Sequence, residues 1–190
     1  MGSPDPEQYD AFADAYETHA ADAPYNALYD RPATLALLGP VDGRRVLDAA
    51  CGPGFYLEEL VAGGADVVVC ALAYHYLNDR PGFLAEARRI LAPTGALVIS
   101  THHPTDDWCR LGGSYFEVDT VTETWSRGWD VTAWRLPLTR LTEEFAAAGF
   151  LIERLVEPLP QPEMARTHPG PFEKLSRQPA FILFRLRPTP

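Results

Sequence analysis

Apolar positions along the chain recur with two periods. Helical spacing places Tyr9, Phe12, Ala13 and Tyr16 on one stripe between Tyr9 and Thr18, and Leu28, Leu35 and Leu38 on another that stops at Gly39-Pro40. The same spacing returns at Leu57, Leu60 and Val61, ended by Gly63-Gly64. It returns again at Phe83, Leu84, Ala87, Ile90 and Leu91, behind Asp79 as N-cap and Pro81 in the first turn. A last helix is expected over Thr139 to Ala148, with Leu141, Phe145 and Ala148 inward and Gly149 as its cap. Between these lie short apolar runs suited to buried strands: Val46-Leu47, Asp66 to Leu72, Ala96 to Thr101, Phe150 to Pro158 and Pro179 to Leu186. The density of the last run suits an interior antiparallel position. Alternation within Glu117 to Trp125 and Trp129 to Leu136, about a turn at Ser126-Arg127-Gly128, predicts a hairpin. The prolines between Pro158 and Pro171 predict a loop, followed by a short helical piece from Phe172 to Leu175.

Strands alternating with helices over 190 residues, 46% of them apolar, predict one α/β domain with a sizeable core. The formal charge of −10 disfavours an electrostatic grip on nucleic acid or on an anionic membrane, which leaves a small molecule as the expected partner. No apolar run reaches the length of a membrane span. Cys51, Cys70 and Cys109 lack paired metal-ligand spacing, so no metal is expected, and without an apolar leader they read as reduced thiols of the cytoplasm.

The chemistry centres on Val46-Leu47-Asp48-Ala49-Ala50-Cys51-Gly52-Pro53-Gly54, a strand that stops at an acid and turns through two glycines into a helix. Such a turn allows backbone angles and a ligand approach that a Cβ would block, and the new helix offers free N–H groups and a positive dipole end. A nucleotide-like ligand is expected there. The dinucleotide fingerprint does not fit, because its third glycine position is Leu57.

This run resembles the first motif of the class I S-adenosylmethionine-dependent methyltransferases, and the helix, Pro93-Thr94-Gly95 turn and strand that lead to Thr101 resemble a later unit of the same family. The resemblance is strong over residues 46 to 101 and weaker outside them. It implies a Rossmann-like sheet with helices on both faces, an N-terminal helical lid and an antiparallel last strand. The implied layout is a single domain over 1–190: lid 1–40, cofactor-binding core 41–101, acceptor-side flap 102–136 and C-terminal strands 137–190. It also implies S-adenosyl-L-methionine as cofactor, held by Asp48, Ala50, Gly52, Gly54 and Leu72, with Tyr9 and Tyr16 reaching in from the lid and Arg31 near the cofactor carboxylate or the acceptor. The plainer reading of the two tyrosines is that they pack the lid helix onto the sheet.

One departure is plain in the chain. Asp66 to Leu77 resembles the family's fourth strand and its following turn, yet it comes directly after the first helix. The second and third strands, one of which ends in an acid that binds the cofactor ribose, have no room between Ala65 and Asp66, because a strand–helix–strand unit needs about 30 residues. Joining that helix to the fourth strand in its usual place would require a left-handed crossover, found in only about 2% of cases. A lost segment at the Ala65–Asp66 join is therefore preferred to a rearranged fold, and a Cα separation there well beyond about 3.8 Å would reveal it.

Past the strand ends, His75, His102 and His103 are candidates for binding the acceptor or taking its proton, with His103 and His75 the catalytic assignment; each could equally be a hydrogen-bonded structural histidine. Methyl transfer itself asks mainly for alignment. The aromatics Tyr115, Phe116, Trp125, Trp129 and Trp134 could line an acceptor pocket, pack the underside of the flap or form an interface. The expected function is methyl transfer from S-adenosylmethionine to a small-molecule acceptor. The alternative is a degenerate, non-catalytic module that binds or dimerises through an exposed sheet edge with a second copy.

Overall fold

The computed structural model describes residues 3–5, 7–50, 66–125 and 127–190. Its main sheet has five strands in the order β1 (Val46–Asp48), β2 (Val67–Ala71), β3 (Ala96–His102), β7 (Phe181–Pro188) and β6 (Phe150–Val156). Strands β1, β2 and β3 run parallel, and β7 lies antiparallel between β3 and β6, the interior position expected of the last strand. The fold is the expected α/β arrangement with a mixed central sheet.

Strands β2 and β3 are apolar without alternation because both faces of the sheet are covered. On one face α3 (Arg80–Ile90) and α5 (Leu138–Ala147) bring Leu84, Leu141 and Phe145 onto Val68, Leu97, Ile99 and Phe184. On the other, α2 (Arg31–Leu38) sets Leu37 and Leu38 against Val67, Val69, Val98 and Leu183. Burying each of the larger of these side chains contributes about 1.5–3 kcal/mol. The turn between α3 and β3 depends on Gly95, where a Cβ would lie 2.8 Å from the Asp66 carbonyl oxygen.

β1 pairs directly with β2, Val46 opposite Val67, and its other edge has no strand beside it among the described residues. Arg45 closes the lower end of this pair on Asp66, Nη2 to Oδ1 at 2.9 Å. The glycine turn and the Ala65–Asp66 join, including Cys51, Gly52, Gly54, Leu57, Leu60, Val61, Gly63 and Gly64, lie outside the described residues.

Several expectations are corrected in detail. Ile90 is on the outer side of α3 and exposed, because the face that meets the sheet is carried by Leu84, Ala87 and Leu91. The lid begins as a 3-10 turn at Asp10–Phe12 before α1 (Ala13–Asp22), and a wide π turn at Asn26–Asp30 precedes α2. The proline-rich stretch holds two short helices, α6 (Pro162–Thr167) and α7 (Pro169–Leu175), whose Met164 and Leu175 bury Tyr29 in a satellite core. An unexpected helix, α4 (Pro104–Leu111), follows β3. The hairpin forms as β4 (Asp119–Thr124) and β5 (Asp130–Arg135), a separate two-stranded sheet.

Candidate active site

The carboxyl ends of β1, β2 and β3 meet at one edge, where open α/β sheets bind ligands. Asp48 ends β1 there. The Ala49 N–H continues the ladder by donating to the Val69 carbonyl at 2.8 Å, and the Ala50 N–H turns back to Asp48 Oδ1 at 3.2 Å. Asp48 Oδ2 is buried and has no hydrogen-bond partner among the described residues. Burial raises the carboxyl's pKa above its ordinary value, against the opposing pull of the Ala50 bond. An orphaned buried carboxylate oxygen is costly, and a cation placed beside it would relieve that cost.

At the end of β2, Leu72 adopts φ of +49°, the single positive φ of a described non-glycine residue. Its N–H is fixed by two acceptors of Ser100, the carbonyl oxygen and Oγ, each at 3.0 Å. Left-handed backbone at a leucine costs on the order of 1–2 kcal/mol, and such strain gathers at functional sites.

The chain then makes a 3-10 turn, Tyr74–Tyr76, that is anchored from below. Tyr74 donates its hydroxyl proton to Glu144 Oε2 at 2.8 Å, and Glu144 also receives Arg80 through Nε at 3.0 Å and Nη2 at 3.2 Å. Arg80 caps the Leu77 carbonyl at 3.1 Å and lies over the Trp134 ring at 5.1 Å. A buried pair with its hydrogen bonds satisfied holds one geometry, and the turn that carries His75 is thereby fixed.

His75 is almost fully buried. Its Nδ1 lies 3.0 Å from Thr101 Oγ1, while Nε2 has no partner among the described residues. The His102 ring stacks on it, centroids 3.8 Å apart, and Phe181 lies parallel to His102 on the far side at 6.1 Å. Burial, and then the neighbouring His102, hold the His75 pKa well below that of a free imidazole. Burial, with the Arg110 charge adding to it, lowers His102 to about 4. Asp107, whose Oδ1 is 3.6 Å from His102 Nδ1, is raised to about 6 by burial despite the Arg110 guanidinium. Both His75 and His102 are therefore neutral near pH 7, and the contact between His102 and Asp107 is not an ion pair.

His103 sits differently. It is the N-cap of α4: Nδ1 accepts from the Thr105 N–H at 3.2 Å and lies 2.7 Å from Thr105 Oγ1, while Nε2 meets Glu157 Oε1 at 2.9 Å. Both ring nitrogens are occupied within the protein.

Tyr9 and Tyr16 face the hairpin instead of the sheet. Tyr9 contacts Tyr16, Tyr76 and Trp125, and Tyr16 also contacts Trp125. Burial raises both phenol pKa values above 10, and a hydrogen bond joins Tyr9 to Tyr76. The structure thus sets Asp48, Ala50 and Leu72 at the carboxyl ends of β1 and β2, His75 in the turn after Leu72, and Tyr9 and Tyr16 against the hairpin, joined to that turn through Tyr76; Gly52 and Gly54 lie outside the described residues. Sequence reading missed the pairing of His102 with Asp107. The signal was available in His103-Pro104-Thr105-Asp106-Asp107, a cap, a first-turn proline and two first-turn acids, which announces the helix carrying Asp107. No group of three or more metal-ligating side chains occurs among the described residues, and no described helix is long and apolar enough to cross a membrane.

A family model described as a methyltransferase domain matches residues 60–99, less than half of the chain. No curated protein matches. Among solved structures, one from Listeria monocytogenes titled as an S-adenosylmethionine dependent methyltransferase superposes with a TM-score of 0.72 at 18% identity, covering 85% of this chain and 97% of its own. An S-adenosylmethionine dependent methyltransferase from Mesorhizobium loti gives 0.65 at 18% identity, with 88% and 99% covered. The 1,6-didemethyltoxoflavin-N1-methyltransferase of Burkholderia thailandensis, solved with its acceptor and S-adenosylhomocysteine, gives 0.58 at 15% identity, with 100% and 93% covered.

Proposed function

We propose that this chain, which has the fold of the class I S-adenosylmethionine-dependent methyltransferases, transfers a methyl group from S-adenosylmethionine to a small-molecule acceptor. The observation that carries the reading is the buried Oδ2 of Asp48, without a partner among the described residues, at the end of β1, with the strained backbone of Leu72 at the end of the neighbouring β2, the sheet edge where such a cofactor would lie. Asp48 would take the cofactor's ammonium group, Leu72 and Ala50 would wall its nucleoside, and Gly52 and Gly54 would allow close approach. Bound there, the cofactor would supply an electrophilic methyl group to the acceptor's heteroatom, whose proton would pass to a base. His75 is that base in this reading. With Nδ1–H donating to Thr101 Oγ1, the lone pair sits on Nε2, and the stacked His102 keeps the ring from turning. Alignment supplies the larger share of the rate.

The free thiols of Cys70 and Cys109 fit a reducing, cytoplasmic setting. A second reading, a non-catalytic module on the same fold, is favoured by one observation: β1 is an edge, with no acid-tipped strand beside it among the described residues to hold a ribose. Calorimetric titration of S-adenosylhomocysteine into protein of verified intact mass separates the two. One site per chain, weakened about tenfold or more by Asp48→Asn, supports the methyltransferase; no heat from folded protein overturns it and leaves the module.

A further inference from the structure

The main sheet ends at β6, which pairs with β7 on one side and with no strand on the other among the described residues. Leu151 to Leu155 are all exposed; Leu151, Ile152 and Leu155 have 57%, 40% and 44% of their surface in solvent, and Leu159 just beyond the strand is exposed as well. A long edge with apolar side chains in solvent is a template for another strand. Natural edges are often blunted by lysine or proline, and Phe150–Val156 contains neither.

A bulge gives β6 an unusual order of faces. Residues paired across a ladder point to the same face of the sheet. Ile152 pairs with Leu186 and Leu155 with Phe184, so both point to the face covered by α3 and α5. Leu151, Arg154 and Val156 pair with Arg187, Arg185 and Leu183, and point to the opposite face. Glu153 is the residue that the register skips, and it reaches Arg185 at 2.8 Å and Arg187 at 3.2 Å on that opposite face. From Leu151 to Val156 the faces therefore read second, first, second, second, first, second, an order that is the same in both directions. A strand with strict alternation over the same length reverses its order when it is turned around.

We propose that β6 is a dimer edge, at which a second copy of this chain adds its own β6 antiparallel to the first about a two-fold axis between Glu153 and Arg154. In this register Ile152 lies opposite the partner's Leu155, Leu151 opposite the partner's Val156 and Glu153 opposite the partner's Arg154, and symmetry repeats each contact. All six positions then meet a residue on their own face, which a slip of one residue would undo. Apolar meets apolar and each charge meets its opposite, the pairings that stabilise adjacent strands. The formal charge of −10 sets most of the surface of two copies against each other, but this strand is neutral, Glu153 offsetting Arg154, with Arg185 and Arg187 behind it. β1 lies at the other end of the sheet, so the pairing leaves the candidate active site open and does not depend on the reaction proposed there.

Sedimentation velocity on the full chain without ligand tests the dimer, and it is expected to form as concentration rises through about 1–100 μM. Arg154→Glu sets only carboxylates at the two-fold axis, and Leu155→Lys sets a charge against the partner's Ile152; each should weaken the dimer about tenfold or more while circular dichroism shows a folded chain, because both positions are exposed. Cross-linking tests the register and keeps the test decisive if a charged variant does not fold. Ile152→Cys and Leu155→Cys are made separately in a Cys109→Ser background, which removes an exposed free thiol. An equimolar mixture of the two should give disulfide-linked dimers on mild oxidation and neither variant alone should, because two positions 152 or two positions 155 lie beyond disulfide reach in this register. A wild-type chain that stays monomeric at the highest concentration, a dimer unaffected by both charged variants, or cross-linking no greater in the mixture than in the single variants overturns the proposal.

Discussion

His75 and His102 stack ring on ring, centroids 3.8 Å apart and planes 20° apart, although 26 residues separate Thr101, which holds His75, from that histidine in sequence. The contact joins the turn after β2 to the end of β3 and brings Asp107 of α4 into the same cluster. Three titratable groups thus share one buried neighbourhood, with Asp106, Arg110 and Arg135 acting on it from outside.

Their proton balance predicts how stability varies with pH. His102, lowered to about 4 in the fold, is charged in the unfolded chain below about 6.5, so it adds stability that is present above pH 6.5 and is lost as pH falls toward 4. Asp107, raised to about 6, works oppositely: its proton is favoured in the fold, and stability is lost as pH rises from about 4 through 6. Between pH 4 and 6 the two cancel, since each state holds one proton on the pair. His75, lowered well below its ordinary value by burial and the neighbouring His102, adds proton uptake on unfolding that nothing in the pair offsets. From these three groups, the wild-type unfolding free energy should rise with pH in that range. Asp107→Asn should steepen that slope and His102→Gln should flatten it. Urea midpoints at pH 4.5, 5.0, 5.5 and 6.0 check all three, with slopes common to the other carboxylates subtracted by comparison.

The inner strands were legible in the sequence because Val67 to Cys70 and Ala96 to Ile99 are short unbroken apolar runs, rich in valine and isoleucine and bounded by turn residues. The antiparallel placement of β7 followed from its apolar density together with the family pattern. The lid's direction was not legible. A stripe of Tyr9, Phe12 and Tyr16 states that one helical face is covered, but not by what, and here the hairpin covers it. For the same reason three histidines at strand ends look alike in one dimension. Only the partners reached across the fold distinguish an occupied ring, His103, from one with a spare nitrogen, His75.

Arg80 and Glu144 provide a test of how the His75 turn is held. Both side chains are more than nine-tenths buried, and removing Arg80 leaves Glu144 with the half-exposed Arg140, whose Nε lies 3.0 Å from Oε1, as its remaining counter-ion. Arg80→Met should still destabilise the fold, by less than the about 3–5 kcal/mol of a fully orphaned buried charge, read as a shift in the urea midpoint. Adding Glu144→Gln should restore part of that loss, because the under-compensated buried charge disappears while the amide still accepts from Tyr74 and Arg140.

Leu72 should tolerate substitution according to backbone conformation more than size. Its φ of +49° suits asparagine and is hardest on a β-branched residue. Leu72→Asn is expected within about 1 kcal/mol of wild type, apart from the apolar area lost, whereas Leu72→Val should cost on the order of 2 kcal/mol despite keeping an apolar side chain. A valine variant as stable as the asparagine variant would show that the left-handed turn is not retained in solution.

His103 and His75 should separate cleanly by readout. His103 caps α4 by accepting from the Thr105 N–H, and its second nitrogen is held by Glu157, so its removal is expected to act on folding. His103→Ala should lower stability by about 1 kcal/mol, and His103→Asn, whose side-chain oxygen can accept the same N–H, should recover most of it. Neither should alter the pH profile of turnover. His75 has a buried nitrogen that the described protein leaves unused, so His75→Gln should change stability little, since the amide can keep one contact to Thr101, yet lower kcat by about a hundredfold or more for an acceptor that must lose a proton. For an acceptor already deprotonated in solution, the same variant should turn over near the wild-type rate. A His103→Asn variant that folds as wild type but loses turnover would move the proton-accepting role from the first histidine to the second.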